Sequence, residues 1–221
     1  MFSPAELGLC RNLSHRNHRR ALFLLDRISL FHIRYPHVRI KIRNSQTPDT
    51  LDALEKGLIE LAVVTAPFKV SKTFHAERIY SFEEILIASP RQKNFASRGR
   101  SVEELTKIPL LSLPKNSSSY EFYTHYFLSH GTSYSPDIET ETADQVPPLI
   151  MHDLGFSFFP LRIAQQYIEQ GTIIQIPLLT PPGMRETWLI YDPKRTRGLA
   201  IKKLLECITD PSVPNIEETL R

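Results

Sequence analysis

Glycine is scarce in this chain, 8 residues in 221, and no GxGxxG or GxxxxGK[ST] run occurs among them. A glycine-rich phosphate loop is thereby excluded, because such loops need glycines wherever the backbone closely approaches phosphate. Cysteine is scarcer still. Cys10 and Cys207 stand far apart with no CxxC partner, which excludes a disulfide framework and a cysteine zinc site and fits a reducing cytoplasm. HExxH and GxSxG are missing too, so the zinc peptidase and serine hydrolase signatures fail. No basic start leads into an apolar stretch of signal-peptide length, and no stretch approaches the roughly 20 apolar residues of a membrane span. Export and membrane insertion are not expected. What remains is an ordinary soluble composition, 41% hydrophobic and 23% charged with a net charge of +3, long enough for one large domain or two small ones.

The stretch FHIRYPHVRIKI, Phe31 to Ile42, is a helix-to-strand joint. Pro36 stops the helix and biases Tyr35 away from helical backbone, and Val38, Ile40 and Ile42 then alternate with Arg39, Lys41 and Arg43 at period two. Downstream, TPDTLDALEKG supplies an N-cap in Thr47, Pro48 at the first helical position, an apolar stripe at Leu51, Leu54 and Leu58, and a stop at Gly57. IELAVVT is a continuous apolar run of strand length, as expected for a strand buried on both faces. Strand, helix and strand within about 30 residues form a βαβ unit. The alternation continues through EEILIASP, a capping box from Ser101 to Glu104, IPLLSL, a second cap from Ser118 to Glu121, and the aromatic helix YEFYTHYFLSHG that ends at Gly131. Strands are then expected at PDIETE, GFSFFP, TIIQIPL and ETWLIYDP, with helices at QVPPLIMHD, LRIAQQYIEQG and LAIKKLLECI. This pattern predicts an α/β fold with mostly parallel sheets.

Such sheets bind ligands at the carboxyl ends of their strands. Small or polar residues mark three of those ends: Thr65 and Ala66, Ser117 to Ser119, and Asp144 with Thr142 and Ala143. The serines combine hydroxyls with the free N–H groups of a helix start, which suits a carboxylate or phosphate. A plain cap role for Ser118 is favoured over a cap that also touches ligand, because every helix start needs a cap. His125 and His130 are five apart on one helix and so point to different faces, while His75 and His152 are isolated; no metal site or catalytic constellation is expected. Trp188 and YEFYTHYF read as core rather than as nucleic-acid stacking surfaces.

FHIRYPHVRIKI followed by TLDALEKGLIELAVVT resembles the effector-binding domain of LysR-type transcriptional regulators. The resemblance lies in the Phe-to-Tyr-Pro helix end, the spaced leucines, and Gly57, Ile59, Glu60, Leu61, Ala62 and Val63. It continues through EEILIASP, through Val146, Leu149, Ile150, Leu154 and Gly155, and through FSFFP, with Asp153 standing where the family has glycine, a departure from which little consequence is expected. The resemblance implies a two-lobed, type 2 periplasmic-binding-protein-like fold with a small-molecule cleft between lobes. The lobes are expected over 20–88 with 183–221 and over 89–182. Carried onto this chain, the binding residues are Thr65, Ala66, Ser117, Ser118, Ser119, Asp144, Phe159 and Pro160. The implied ligand is a small, anionic effector, with no cofactor and no metal, and the expected location is the cytoplasm.

Two features depart from the family pattern. The N-terminal helix-turn-helix is not read in this chain, so sequence-specific DNA binding by the chain alone is not expected. Residues 1–19 also form an atypical segment. No alternating strand is read from the basic run that begins at Leu7, and a shifted reading frame is one explanation for it. The family's first strand is therefore expected to be missing, and the chain to be a monomer or weak homodimer. Two readings stay open: a regulatory effector domain in truncated form, or a stand-alone binding protein or prephenate dehydratase-like enzyme on the same fold.

Overall fold

The computed structural model describes residues 5–10, 19–195 and 198–210. The strands are β1 (Ala5–Cys10), β2 (Ile40–Ser45), β3 (Leu61–Thr65), β4 (His75–Ala88), β5 (Leu111–Ser112), β6 (Ile138–Glu139), β7 (Ser157–Pro160), β8 (Ile174–Ile176) and β9 (Met184–Tyr191). The helices are α1 (Arg19–Arg34), α2 (Thr47–Glu55), α3 (Val102–Leu105), α4 (Ser118–Ser129), α5 (Val146–Met151), α6 (Leu161–Glu169) and α7 (Leu199–Thr209). They form two compact units, Met1–Tyr80 with Thr187–Arg221, and Ser81–Glu186. β4 and β9 are the strands on which the chain passes from one unit to the other.

The first unit corrects one expectation. A strand does occupy the N-terminal segment: β1 pairs parallel with β2 from Ala5 opposite Ile40 to Cys10 opposite Ser45, and with β3 from Leu7 opposite Leu61. Its signal is in the sequence, because Ala5, Leu7 and Leu9 alternate with Glu6, Gly8 and Cys10; a reading begun at Leu7 runs straight into the basic stretch and loses the period. The frame-shift reading falls on residues 11–20, of which 11–18 lie outside the described residues and 19–20 begin α1. The strand order is β2-β1-β3-β9, with β9 antiparallel to β3.

All five residues of β3 are buried, as its unbroken apolar run predicts. Successive side chains point to opposite faces of a sheet. Leu61 and Val63 accordingly join Leu24, Ile28 and Phe31 of α1 and Ile201, Leu204 and Ile208 of α7, while Ala62 and Val64 meet Leu51 and Leu54 of α2. Two helix layers thus cover the two faces of one sheet. Each fully buried side chain of this size contributes about 1.5–3 kcal/mol. Arg27, also buried, donates from its guanidinium to the carbonyls of Cys207 and Asp210, closing the C-terminal end of α7 where orphan carbonyls need donors. The start of α2 lies one residue earlier than expected. Gln46 holds the N-cap position and Thr47 is already helical, with Pro48 tolerated in the first turn because its missing N–H would be unpaired there.

In the second unit β5 pairs parallel with β6, Leu110 bridges Phe156 in parallel sense just ahead of β7, and β4 pairs antiparallel with both β7 and β8. YEFYTHYF packs as core, as expected: Tyr123, Tyr126 and Phe127 cluster with Tyr134 and Phe158, and the rings of Tyr123 and Phe158 stack at 4.5 Å. The Ser101 capping box is present, with Ser101 Oγ accepting from Glu104 N–H at 3.4 Å and Glu104 Oε2 accepting from Ser101 N–H at 3.1 Å. Arg98 and Arg100 close on the same carboxylate at 2.6 and 2.9 Å, and these bonds hold it down to about 2, well below the ordinary carboxylate range. Asp153 sits at φ +62. Its carboxylate accepts from Gln92 Nε2 at 2.9 Å and from the Ser89 hydroxyl. The Gly-to-Asp departure thus brings its own anchoring bonds to a backbone conformation that side chains disfavour.

Candidate functional site

The parallel register of β5, β6 and β7 brings their carboxyl ends to one end of the second unit. After β5 the chain reaches Ser117 and α4; after β6 it reaches Thr142 and Asp144; β7 ends at Pro160. Glu84 of β4 lies opposite Pro160, so the amino-terminal part of β4 within this unit reaches the same end. Of the eight residues singled out from sequence, Ser117, Ser118, Ser119, Asp144, Phe159 and Pro160 belong to this unit. Thr65 and Ala66 end β3 in the other.

The serines divide their work differently from the sequence reading. Ser117, not Ser118, is the N-cap: its backbone is extended, and its Oγ accepts from Tyr120 N–H at 3.1 Å. The box from Ser118 to Glu121 is therefore corrected by one residue. Ser118 and Ser119 lie in the first turn of α4 and turn inward, 4% and 5% exposed. Their hydroxyl oxygens accept from Arg185, Ser119 from Nη1 at 2.7 Å and Ser118 from Nη2 at 3.4 Å. A run of three serines announces a cap but not its register, since any of them can hold the position.

Arg185 itself escaped sequence reading. Its side chain is fully buried and pairs with Glu84 at 3.4 Å, while the Tyr123 hydroxyl donates to the other oxygen of that carboxylate. The guanidinium carbon lies 4.9 Å from the ring centroid of Phe122 and 5.8 Å from that of Phe82, close enough for cation–π attraction. Removing two charges from water is costly, and hydrogen bonds at both guanidinium Nη atoms and both carboxylate oxygens offset part of that cost. A guanidinium at a helix N-terminus also faces the positive end of the macrodipole, which the Glu84 carboxylate offsets. Burial, and then the neighbouring Glu84 charge, raise the Tyr123 hydroxyl well above its ordinary pKa, so it stays protonated and donating. The sequence signal for Arg185 is its parity: it shares the inward phase of β9 with Thr187 and Leu189. A strand taken to begin at Glu186 omits it.

Asp144 is half-buried in the short 3-10 turn Ala143–Gln145 that leads into α5. Phe159 is 2% exposed and belongs to the apolar cluster with Ile85, Ile87, Leu111 and Ile163, so its ring is part of the core. Pro160 is half-buried at the N-cap of α6. Thr65 is buried opposite Thr187 of β9, and Ala66 follows it at the strand end. Among the described residues no group of three or more His, Cys, Asp or Glu side chains is placed to hold a metal ion. His130 instead bonds the Tyr126 carbonyl at 2.8 Å. No helix among the described residues is long and apolar enough to cross a membrane.

These elements define the α/β, two-lobed periplasmic-binding-protein-like class, and solved structures of that class match the chain. The regulatory domain of CcmR from Synechocystis PCC6803 in complex with 2-PG superposes with a TM-score of 0.78 at 12% identity, covering 93% of this chain and 95% of that one. The effector binding domain of QuiR in complex with shikimate gives 0.77 at 11% identity, covering 94% and 96%. The family model of the LysR substrate binding domain matches residues 20–211. The chain belongs to that family and is an effector-sensing regulatory domain of the LysR type. It is also 20% identical over 181 residues to the HTH-type transcriptional regulator YeiE of Escherichia coli K12, covering 81% of this chain and 61% of that protein. It therefore spans less than two thirds of that relative's length.

Proposed function

We propose that this domain senses a small anionic effector at the strand ends of its second unit and regulates a LysR-type transcription factor in the cytoplasm without catalysing a reaction. The observation that carries the site is the convergence of three parallel strand ends on the start of α4, where backbone N–H groups and the positive helix end favour negative charge. Ser117, Ser118 and Ser119 are the residues of that helix start, with Asp144, Phe159 and Pro160 on the neighbouring strand ends. Thr65 and Ala66 are the corresponding strand-end candidates of the first unit. The family places the domain among regulators, and shikimate and 2-PG, bound by the QuiR and CcmR domains, indicate the size of ligand. A monomer or weak homodimer is part of the same proposal.

The test is a thermal-shift screen of small carboxylates and phosphates, shikimate and 2-PG among them, followed by calorimetric titration of any hit against Ser117→Ala, Ser119→Ala and Thr65→Val. A lost hydrogen bond to a charged group costs about 1.5–3 kcal/mol, on the order of tenfold to a hundredfold in affinity. Unchanged affinity in both serine variants would remove the α4 start from the site.

A further inference from the structure

Glu84 and Arg185 form the ion pair of a buried cluster, and each stands on a strand that joins the units. The units divide between Tyr80 and Ser81 on β4 and between Glu186 and Thr187 on β9. Arg185 is thus the next-to-last residue of β9 to lie in the second unit, and Glu84 the fourth residue of β4 to do so. Both are tied to one helix at two successive turns: Arg185 to Ser118 and Ser119 in the first turn of α4, and Glu84 to Tyr123 in the next. The ion pair at 3.4 Å closes the circuit. We propose that Arg185 and Glu84 are a positioning pair that couples the first turn of α4 to both connecting strands, so that a change at the helix start reaches β4 and β9 through this one cluster.

The Arg185 side chain is 0% exposed and that of Glu84 5%, so neither charge can exchange its partner for water when the helix start shifts. A displacement of Ser119 must either carry the guanidinium with it or break the 2.7 Å bond. The planar guanidinium presents its donors in a rigid fork, which makes following the less costly outcome. Phe82 and Phe122, beside the guanidinium, leave it in a packed setting with discrete arrangements rather than a continuous range. Coupling claims require an element whose state both ends bias, and here the ion pair is that element. This coupling is the same whichever effector binds.

The experiment is amide hydrogen exchange on the intact chain, followed residue by residue by NMR without ligand. Ser119→Ala removes the hydroxyl that Arg185 holds most closely. Exchange is expected to speed up by tenfold or more at amides of the α4 first turn and, together with them, at strand amides around Glu84 and Arg185. Apolar replacement of both partners, Glu84→Leu with Arg185→Met, keeps the volume and removes the circuit, and buried ion pairs often tolerate such replacement. In that background Ser119→Ala is expected to move only the helix amides. Two results overturn the coupling: strand amides that do not respond to Ser119→Ala in the native chain, or strand amides that respond equally in the doubly replaced background. The second would show that the response spreads through general loosening. An effector titration that failed to involve Ser117 or Ser119 would count against the proposed binding site and leave this exchange result standing.

Discussion

Replacing Asp153 tests how a left-handed residue that is not glycine is held. Its φ of +62 places it where side chains are disfavoured by about 1–2 kcal/mol, less for aspartate, which can bond locally. Against that cost stand two bonds accepted by its carboxylate, from Gln92 Nε2 at 2.9 Å and from Ser89. The Gln92 bond is part-buried, and hydrogen bonds of this kind contribute on the order of 0.5–1.5 kcal/mol each. Asp153→Gly relieves the backbone and loses both bonds, and the two effects nearly cancel; its stability should stay within about 1 kcal/mol of the native chain. Asp153→Ala keeps the strain and loses the bonds, a loss of about 1–3 kcal/mol, or several degrees in Tm at about 2–4 °C per kcal/mol for a chain of this size. Urea unfolding of the three proteins side by side measures the difference. Equal stabilities for the Gly and Ala variants would refute the backbone argument. An Ala variant as stable as the native chain would refute the anchoring role of the carboxylate.

Arg185→Met leaves the buried Glu84 carboxyl with its cationic partner gone, and should cost about 3–5 kcal/mol, while Glu84→Leu with Arg185→Met should cost much less; urea midpoints of the two decide it. Ser117→Ala should lose about 0.5–2 kcal/mol through the N-cap, whereas Ser118→Ala should leave the cap bond to Tyr120 N–H intact, a contrast that thermal unfolding and exchange at Tyr120 report. Glu104 contributes on the acid side. Its carboxyl is held down to about 2 by Arg98, the Ser101 N–H and Arg100, so its stabilisation is present above its unfolded pKa of about 4.5 and is lost as pH falls toward 2. Glu104→Gln should therefore flatten the stability-versus-pH curve between those values, and an unchanged acid limb would contradict the clamp.

The sequence by itself determined the order of strands and helices, because period two, period 3.6 and the glycine and proline stops are local properties of the chain. LAVVT became the sheet strand buried on both faces, Ser101 and Glu104 made their box, and Gly57 and Gly131 closed their helices at φ +69 and +73. The family was legible for the same reason: the Tyr-Pro joint and the Gly57-to-Val63 run are contiguous. β1 was missed, because its short alternation from Ala5 to Cys10 runs directly into basic residues that carry no period. Tertiary structure decided what depends on partners far along the chain. Which of three adjacent serines caps α4 follows from where the guanidinium of Arg185 lies, 66 residues from Ser119. Which of Glu83 and Glu84 turns inward follows from the same side chain, 101 residues from Glu84. Phe159 is a strand-end residue by sequence and a core residue in the fold, since the pleat directs its ring into the cluster around Ile85 and Leu111. A buried charge reads in sequence as an interruption of an apolar strand. Only folding supplies the carboxylate, hydroxyls and aromatic rings that make its burial possible.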